Sequence, residues 1–205
     1  MRYLNKIVFI NSAAIRYSEV QLDGNIHLIG TQGVGKSTIL RAILFFYNAD
    51  TQRLGIPVEK KSYQDYYFPY ADSSIIYEVA REDGWFTVLS YKTMNRICYR
   101  FIASPYRPDL FIDEEGAPYP SDRIRSVLDK NGIKYSGAIS TYEEYRNILY
   151  GNSDNKRDYS CYSLMESGSY QNIIRTIQNV LLNSRLEADY IKQTIITSLL
   201  SLIHI

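Results

Sequence analysis

The chain has 205 residues, 45% of them hydrophobic and 22% charged, which is the composition of a folded globular protein and excludes a disordered one. Its 23 basic and 22 acidic side chains leave a formal net charge of +1, so no global attraction draws it to nucleic acid or an anionic membrane. Any DNA contact must then come from a local patch or from parts of the protein outside this chain.

The start, Met1-Arg2-Tyr3-Leu4-Asn5-Lys6, has no apolar h-region, and no run of about 18 apolar residues follows. Cys98 and Cys161, without a leader, read as reduced thiols, and a cytoplasmic protein with no membrane partner is expected. His27 and His204 lack ligands at metal spacing, so no zinc site is expected.

Residues 6–10 (KIVFI) and 15–22 (IRYSEVQL) predict two strands joined by Asn11-Ser12-Ala13-Ala14. Asp23-Gly24-Asn25 is a turn signal, and residues 26–29 (IHLI) predict a short apolar strand. A glycine loop follows, then a helix over 37–47, apolar at Ile39, Leu40, Ile43, Leu44 and Tyr47. Residues 48–72, broken by Pro57 and Pro69, read as a long irregular connection. The chain's 20 tyrosines thicken between Tyr63 and Tyr70, and packing explains them more economically than a base-stacking platform does.

Three strand-like runs come next, at 74–80, 85–91 and 96–103, with Asp83-Gly84 as a hairpin signal between the first two. Residues 111–118 predict a further small hairpin with Glu115-Gly116 near its tip. A helix is expected at 121–130, capped by Ser121 and stopped at Asn131-Gly132, and another at 142–149. A polar loop spans 151–158. From Tyr170 the pattern is long and helical, carried by Ile173, Ile177, Val180, Leu181, Ile191, Ile195 and Leu199.

Gly30-Thr31-Gln32-Gly33-Val34-Gly35-Lys36-Ser37 satisfies the Walker A pattern G-x-x-x-x-G-K-[ST] at every position. Glycines let such a loop turn tightly and aim its N–H groups at phosphates, and the positive end of the following helix adds to the same field. Lys36 is expected on the β- and γ-phosphates, Ser37 on Mg²⁺, and Thr38 beside the α-phosphate, with ATP as the nucleotide. The competing reading is a glycine turn that only opens a helix.

Hydrolysis also needs an apolar strand ending in an acid pair. Leu110-Phe111-Ile112-Asp113-Glu114 offers one superficially. Pro108 just before it weakens a buried central strand, and Glu115-Gly116-Ala117-Pro118 just after it is turn chemistry. A hairpin tip is therefore favoured, and Asp113 and Glu114 are catalytic candidates only in a self-contained phosphotransferase or small NTPase, which requires them beside Ser37 and a substrate site in the Tyr63 to Tyr70 region. A nucleotide-binding module without turnover is a third reading.

The order of these elements resembles the amino-terminal head segment of the SMC family, chromosome-organising ATPases related to RecF and RecN. The resemblance runs through Arg100-Phe101-Ile102, the 110–116 run, Asp122-Arg123-Ile124, and Val127-Leu128-Asp129-Lys130-Asn131-Gly132-Ile133. Tyr162-Ser163-Leu164-Met165-Glu166-Ser167-Gly168 is similar to the family's Q-loop, with Ser167 where the Mg²⁺-contacting Gln stands and Gln171 nearby as a substitute. That departure, the inserted 136–159 stretch and Leu181-Leu182-Asn183-Ser184-Arg185-Leu186 resemble the divergent MukB-type and Wadjet-type condensin-like ATPases.

The resemblance implies an α/β fold: a P-loop NTPase lobe like the amino-terminal part of ABC and SMC heads, an adjacent antiparallel β-sheet, and a long C-terminal helix that begins a coiled coil. Residues 1–170 would form the head half and 171–199 the helix leading into the coiled coil. Residues 200–205 (LSLIHI) match the translation of a sequencing-library adapter and are expected to be a non-biological tail. In such proteins the signature motif and Walker B acids lie in the carboxy-terminal head half, so that half is the first implied partner. ATP sandwiched between two heads implies a homodimer, with DNA in the full complex and accessory subunits beside it. The expected architecture has helix 36–47 on strands from the first 30 residues, and a separate antiparallel sheet from 74–103 extended by the hairpin around Glu115.

Overall fold

The structure, a computed structural model, describes residues 2–24, 26–48, 51, 54, 56, 59–94, 96–151 and 159–164. Five strands, β1 (Tyr3–Ser12), β2 (Ile15–Gln21), β3 (Ser74–Arg81), β4 (Gly84–Thr93) and β5 (Arg96–Ile102), form one sheet in the order β2-β1-β3-β4-β5. Every neighbouring pair is antiparallel. Among the described residues four short α-helices accompany it: α1 (Lys36–Asn48), α2 (Tyr63–Tyr67), α3 (Ser121–Lys130) and α4 (Tyr142–Leu149).

This corrects the expected P-loop NTPase α/β fold. The strands of the first 30 residues and those of the 74–103 region are not separate bodies. They merge where β1 pairs β3, from Tyr3 opposite Ala80 to Ile10 opposite Ser74. The physical reason lies in β1 itself. Ile7 and Phe9 bury on one face while Val8 and Ile10 bury on the other. A strand apolar on both faces belongs in a sheet interior and needs a neighbour at each edge. β2, with alternate residues half-exposed, serves as the outer neighbour, and β3 supplies the inner one.

Residues 26–29 are a second correction: they form no strand. Ile29 is 92% exposed and Ile26 41%. Both edges of β1 are already taken, and a four-residue run gains nothing from extension without a partner. The glycine loop therefore follows an irregular segment and not the strand its motif ordinarily follows. The long helix expected from Tyr170, with its coiled coil, and the 200–205 tail lie outside the described residues.

Both faces of the sheet are covered, which accounts for the seven consecutive buried residues of β3. On one face, Phe9, Tyr77, Val88 and Phe101 pack with Leu44, Phe45 and Phe46 of α1, and α2 and α4 lie on the same side. On the other, Val8, Ile76, Leu89 and Ile102 pack with Leu110, Phe111 of the following segment and with Ile124 and Leu128 of α3. The 111–118 hairpin belongs to this second layer. It does not extend the sheet; it is reduced to a single bridge, Ile112 to Pro118. α3 starts behind Pro120, so Ser121 is its first helical residue and not its cap. α4 is capped as its sequence suggests, with the Thr141 side chain accepting from Glu144 N.

No helix among the described residues is long and apolar enough to cross a membrane.

Candidate functional site

The glycine loop is shaped by backbone requirements before any ligand is considered. Gly33 and Gly35 have φ of 92° and 93°, values that side-chain-bearing residues rarely adopt. The turn they make delivers the chain into α1, whose first closed ring has Thr38 N and Ile39 N donating to Gly35 O at 3.0 and 3.1 Å. Lys36 and Ser37 stand ahead of those donors, so their amides belong to the open, positive end of the helix. The Lys36 ammonium arches back over the loop and donates to Gly30 O at 2.5 Å and Thr31 O at 2.8 Å. Ser37 is exposed at the mouth.

A cavity of about 870 Å³ opens over this end of α1. Gln32, Gly33, Gly35, Lys36, Ser37 and Thr38 form one wall, and Ile56, Lys60, Lys61, Tyr66 and Tyr67 form the other, with Arg41 between them. Among the described residues its lining carries four cationic side chains, Lys36, Arg41, Lys60 and Lys61, and no carboxylate. The volume is that of a small-molecule site, and the charge is that of an anion receptor.

The second wall is held in place by α2. The Tyr67 hydroxyl donates to Thr38 O at 2.8 Å, clipping α2 to the first turns of α1. The Tyr67 ring stacks on Tyr63 at 4.1 Å, and Tyr63 stacks on Phe45 of α1 at 4.4 Å. Burial pushes the Tyr63 and Tyr67 phenols well up from their usual range, so both stay neutral. Ser62 caps α2 by accepting from Asp65 N at 3.1 Å. Hydrogen bonds from Ser62 and then from Lys92 hold the Asp65 carboxyl below the usual carboxylate range. Arg41 is braced by Nε donating to Leu54 O at 3.3 Å.

Of the nine residues expected at phosphates, six line the cavity: Gln32, Gly33, Gly35, Lys36, Ser37 and Thr38. Gly30 and Thr31 lie behind them and contribute the carbonyls that hold Lys36. Val34 is 57% exposed and outside the lining. Gln171 lies outside the described residues.

Asp113 and Glu114 are on the 111–118 hairpin, whose Phe111 packs on the face of the sheet opposite α1. The Asp113 carboxylate is engaged by its own turn, accepting from Glu115 N at 3.1 Å and Ala117 N at 2.7 Å. The sheet stands between this acid pair and Ser37.

Arg41, Lys60 and Lys61 were not anticipated, and Tyr66 only as part of the 63–70 region that the self-contained enzyme would need. Arg41 carries a usable signal, since it lies four residues after Ser37 and so on the same helical face. The Lys60-Lys61 pair sits in a segment with no periodic pattern, and nothing local says which way it faces.

A family model described as a protein of unknown function (DUF3584) matches residues 11–201, and the chain belongs to that family. The family is associated with RecF/RecN/SMC-like proteins. No curated protein matches the chain.

Proposed function

We propose that this member of the DUF3584 family binds a nucleoside triphosphate, ATP, in the cavity over the glycine loop, as the nucleotide-binding part of an SMC-like ATPase. The observation that carries the reading is the lining: residues of a G-x-x-x-x-G-K-[ST] loop opposed by Lys60 and Lys61, with Arg41 between and, among the described residues, no carboxylate to repel phosphate. Amides at the open end of α1 would receive phosphate oxygens, and Lys36 would exchange its two loop carbonyls for the β- and γ-phosphates. Ser37, exposed at the mouth, would hold Mg²⁺, which neutralises phosphate charge when bound. Gln171 is a second proposed Mg²⁺ contact.

In the whole protein the role is DNA organisation, maintenance or anti-plasmid defence of the MukB or Wadjet type. Turnover belongs to a site completed by a later half of the same protein and by a second copy, with DNA and accessory subunits as further partners. What supports this part of the reading is the sequence resemblance, together with the family's association with RecF/RecN/SMC-like proteins.

The test is thermal. A ligand that binds only the native state at about 100 times its Kd adds about 2.7 kcal/mol, which raises the melting temperature of a chain this size by roughly 5–10 °C. Mg-ATP is expected to produce that shift and Lys36→Ala to remove it. No shift at millimolar Mg-ATP, or an equal shift in Lys36→Ala, overturns the reading.

A further inference from the structure

The cavity has a charged part that suits phosphates and an uncharged part that phosphates do not use. Ile56, Tyr66 and Tyr67 make up the latter. Tyr67 is committed elsewhere: its hydroxyl is bound to Thr38 O, and one ring face is covered by Tyr63. Tyr66 is different. The residue is 38% exposed, and the ring contact it makes among the described residues is a perpendicular one with Tyr67, at 5.1 Å and 81°. Its hydroxyl lies 3.4 Å from Thr38 Oγ1.

That last contact fixes where Tyr66 sits along a bound ligand. With the γ end of a triphosphate at Lys36, the chain of phosphates runs along the first turn of α1 and its α end falls beside Thr38. The ribose and base leave from there. Resting on the triphosphate reading above, we infer that Tyr66 is the residue that selects a nucleotide over a bare polyphosphate, by stacking its ring on the base. The chemistry asks for an exposed aromatic face anchored at its edge, and every base offers a π-face to it. α2 provides the rigidity, because Tyr67, one residue on, is clipped to α1 by the Thr38 bond and stacked into the core through Tyr63.

Isothermal titration of the 205-residue chain with Mg-ATP and with Mg-tripolyphosphate separates the parts of this claim. Wild type is expected to bind ATP more tightly than tripolyphosphate. Tyr66→Ala is expected to weaken ATP by about 5- to 150-fold, the range of aromatic-base stacking, and to leave tripolyphosphate unchanged. Tyr66→Phe, which keeps the ring and loses the hydroxyl, should retain wild-type ATP affinity. An unchanged ATP affinity in Tyr66→Ala overturns the inference, as does an equal loss for both ligands or a loss in Tyr66→Phe matching that in Tyr66→Ala. Failure of wild type to bind either ligand sinks the triphosphate reading instead, and this inference with it. Because Tyr66 is exposed, the unliganded melting temperature of both variants is expected to match wild type, which keeps a binding loss distinct from unfolding.

Discussion

At the scale of single residues, the glycine loop separates two kinds of requirement. Gly35 has open space around it, with nothing within 4 Å of where a Cβ would be, so size is no obstacle there. Its φ of 93° is the obstacle, because an L-residue in that region costs roughly 1–2 kcal/mol. Gly35→Ala should therefore lose about that much stability in urea titration, or relieve the strain by reshaping the loop. In either case the Mg-ATP melting shift should shrink, since Gly35 O is the acceptor that closes the first turn of α1. A variant with unchanged stability and an unchanged shift would mean that the loop tolerates a different path. Lys36 shows the complementary case. Its ammonium already has two carbonyl partners without a ligand, so phosphate binding exchanges bonds and does not create them from nothing.

At the scale of elements, α1 is the piece through which the core reaches the site. Tyrosine hydroxyls from three other elements or their flanks donate to its carbonyls. Tyr67 of α2 reaches Thr38 O and Tyr77 of β3 reaches Ala42 O at 3.1 Å. Tyr145 of α4 reaches Phe46 O and Tyr150, just past α4, reaches Tyr47 O, both at 2.6 Å. The last two matter most. A helix leaves its final four carbonyls without internal donors, and α1 has no basic residue in its last turn to satisfy them. Tyr145 and Tyr150 do that from outside the helix. Tyr145→Phe strips a donor from a buried carbonyl while leaving the ring in place, at a cost of about 1–3 kcal/mol in urea unfolding. Tyr150→Phe, whose bond is only partly buried, should cost less. Equal, negligible losses in both would show that the α1 carbonyls find other donors.

At the scale of the whole molecule, the density of buried tyrosine makes alkaline pH a specific hazard. Tyr63 and Tyr77 are fully buried and pushed well above their usual value, and burial raises Tyr47 to about 12. Such groups are neutral in the folded state, whereas the unfolded chain ionises them near pH 10. The sign follows from proton counting. Their folded pKa lies above the unfolded one, so the stability they contribute is complete below about pH 10 and is lost as pH rises beyond it. The urea midpoint should be flat from neutral pH to about 9.5 and fall from pH 10 toward 12, with phenolate absorbance appearing together with unfolding. Full tyrosine ionisation while the fold persists would contradict the burial described here.

Much of the local structure was legible in sequence. The short apolar runs of β1, β3, β4 and β5, bounded by turn residues, and the period-3.6 runs of α1, α3 and α4 lie within a few residues of where their patterns put them, because apolar content and spacing record which sides of an element meet the core. The glycine loop was legible too, since its backbone admits few other residues at Gly33 and Gly35. Pairing was not. That β1 lies between β2 and β3, merging two expected sheets into one, depends on edges more than 60 residues apart, and no short window encodes which edge is left free. The same holds for residues 26–29, apolar enough for a strand but paired with no strand of the sheet. The opposing wall of the cavity was the least visible part. Lys60, Lys61 and Tyr66 sit in a stretch with no periodic signal, and the docking of Tyr67 onto Thr38 and of Tyr63 onto Phe45 turns that stretch toward the loop. Sequence determined the elements and the glycine turn, because both are matters of local backbone and local pattern. Tertiary structure decided what faces that turn, because a facing wall is a long-range contact whose specificity comes from the packing of the whole core.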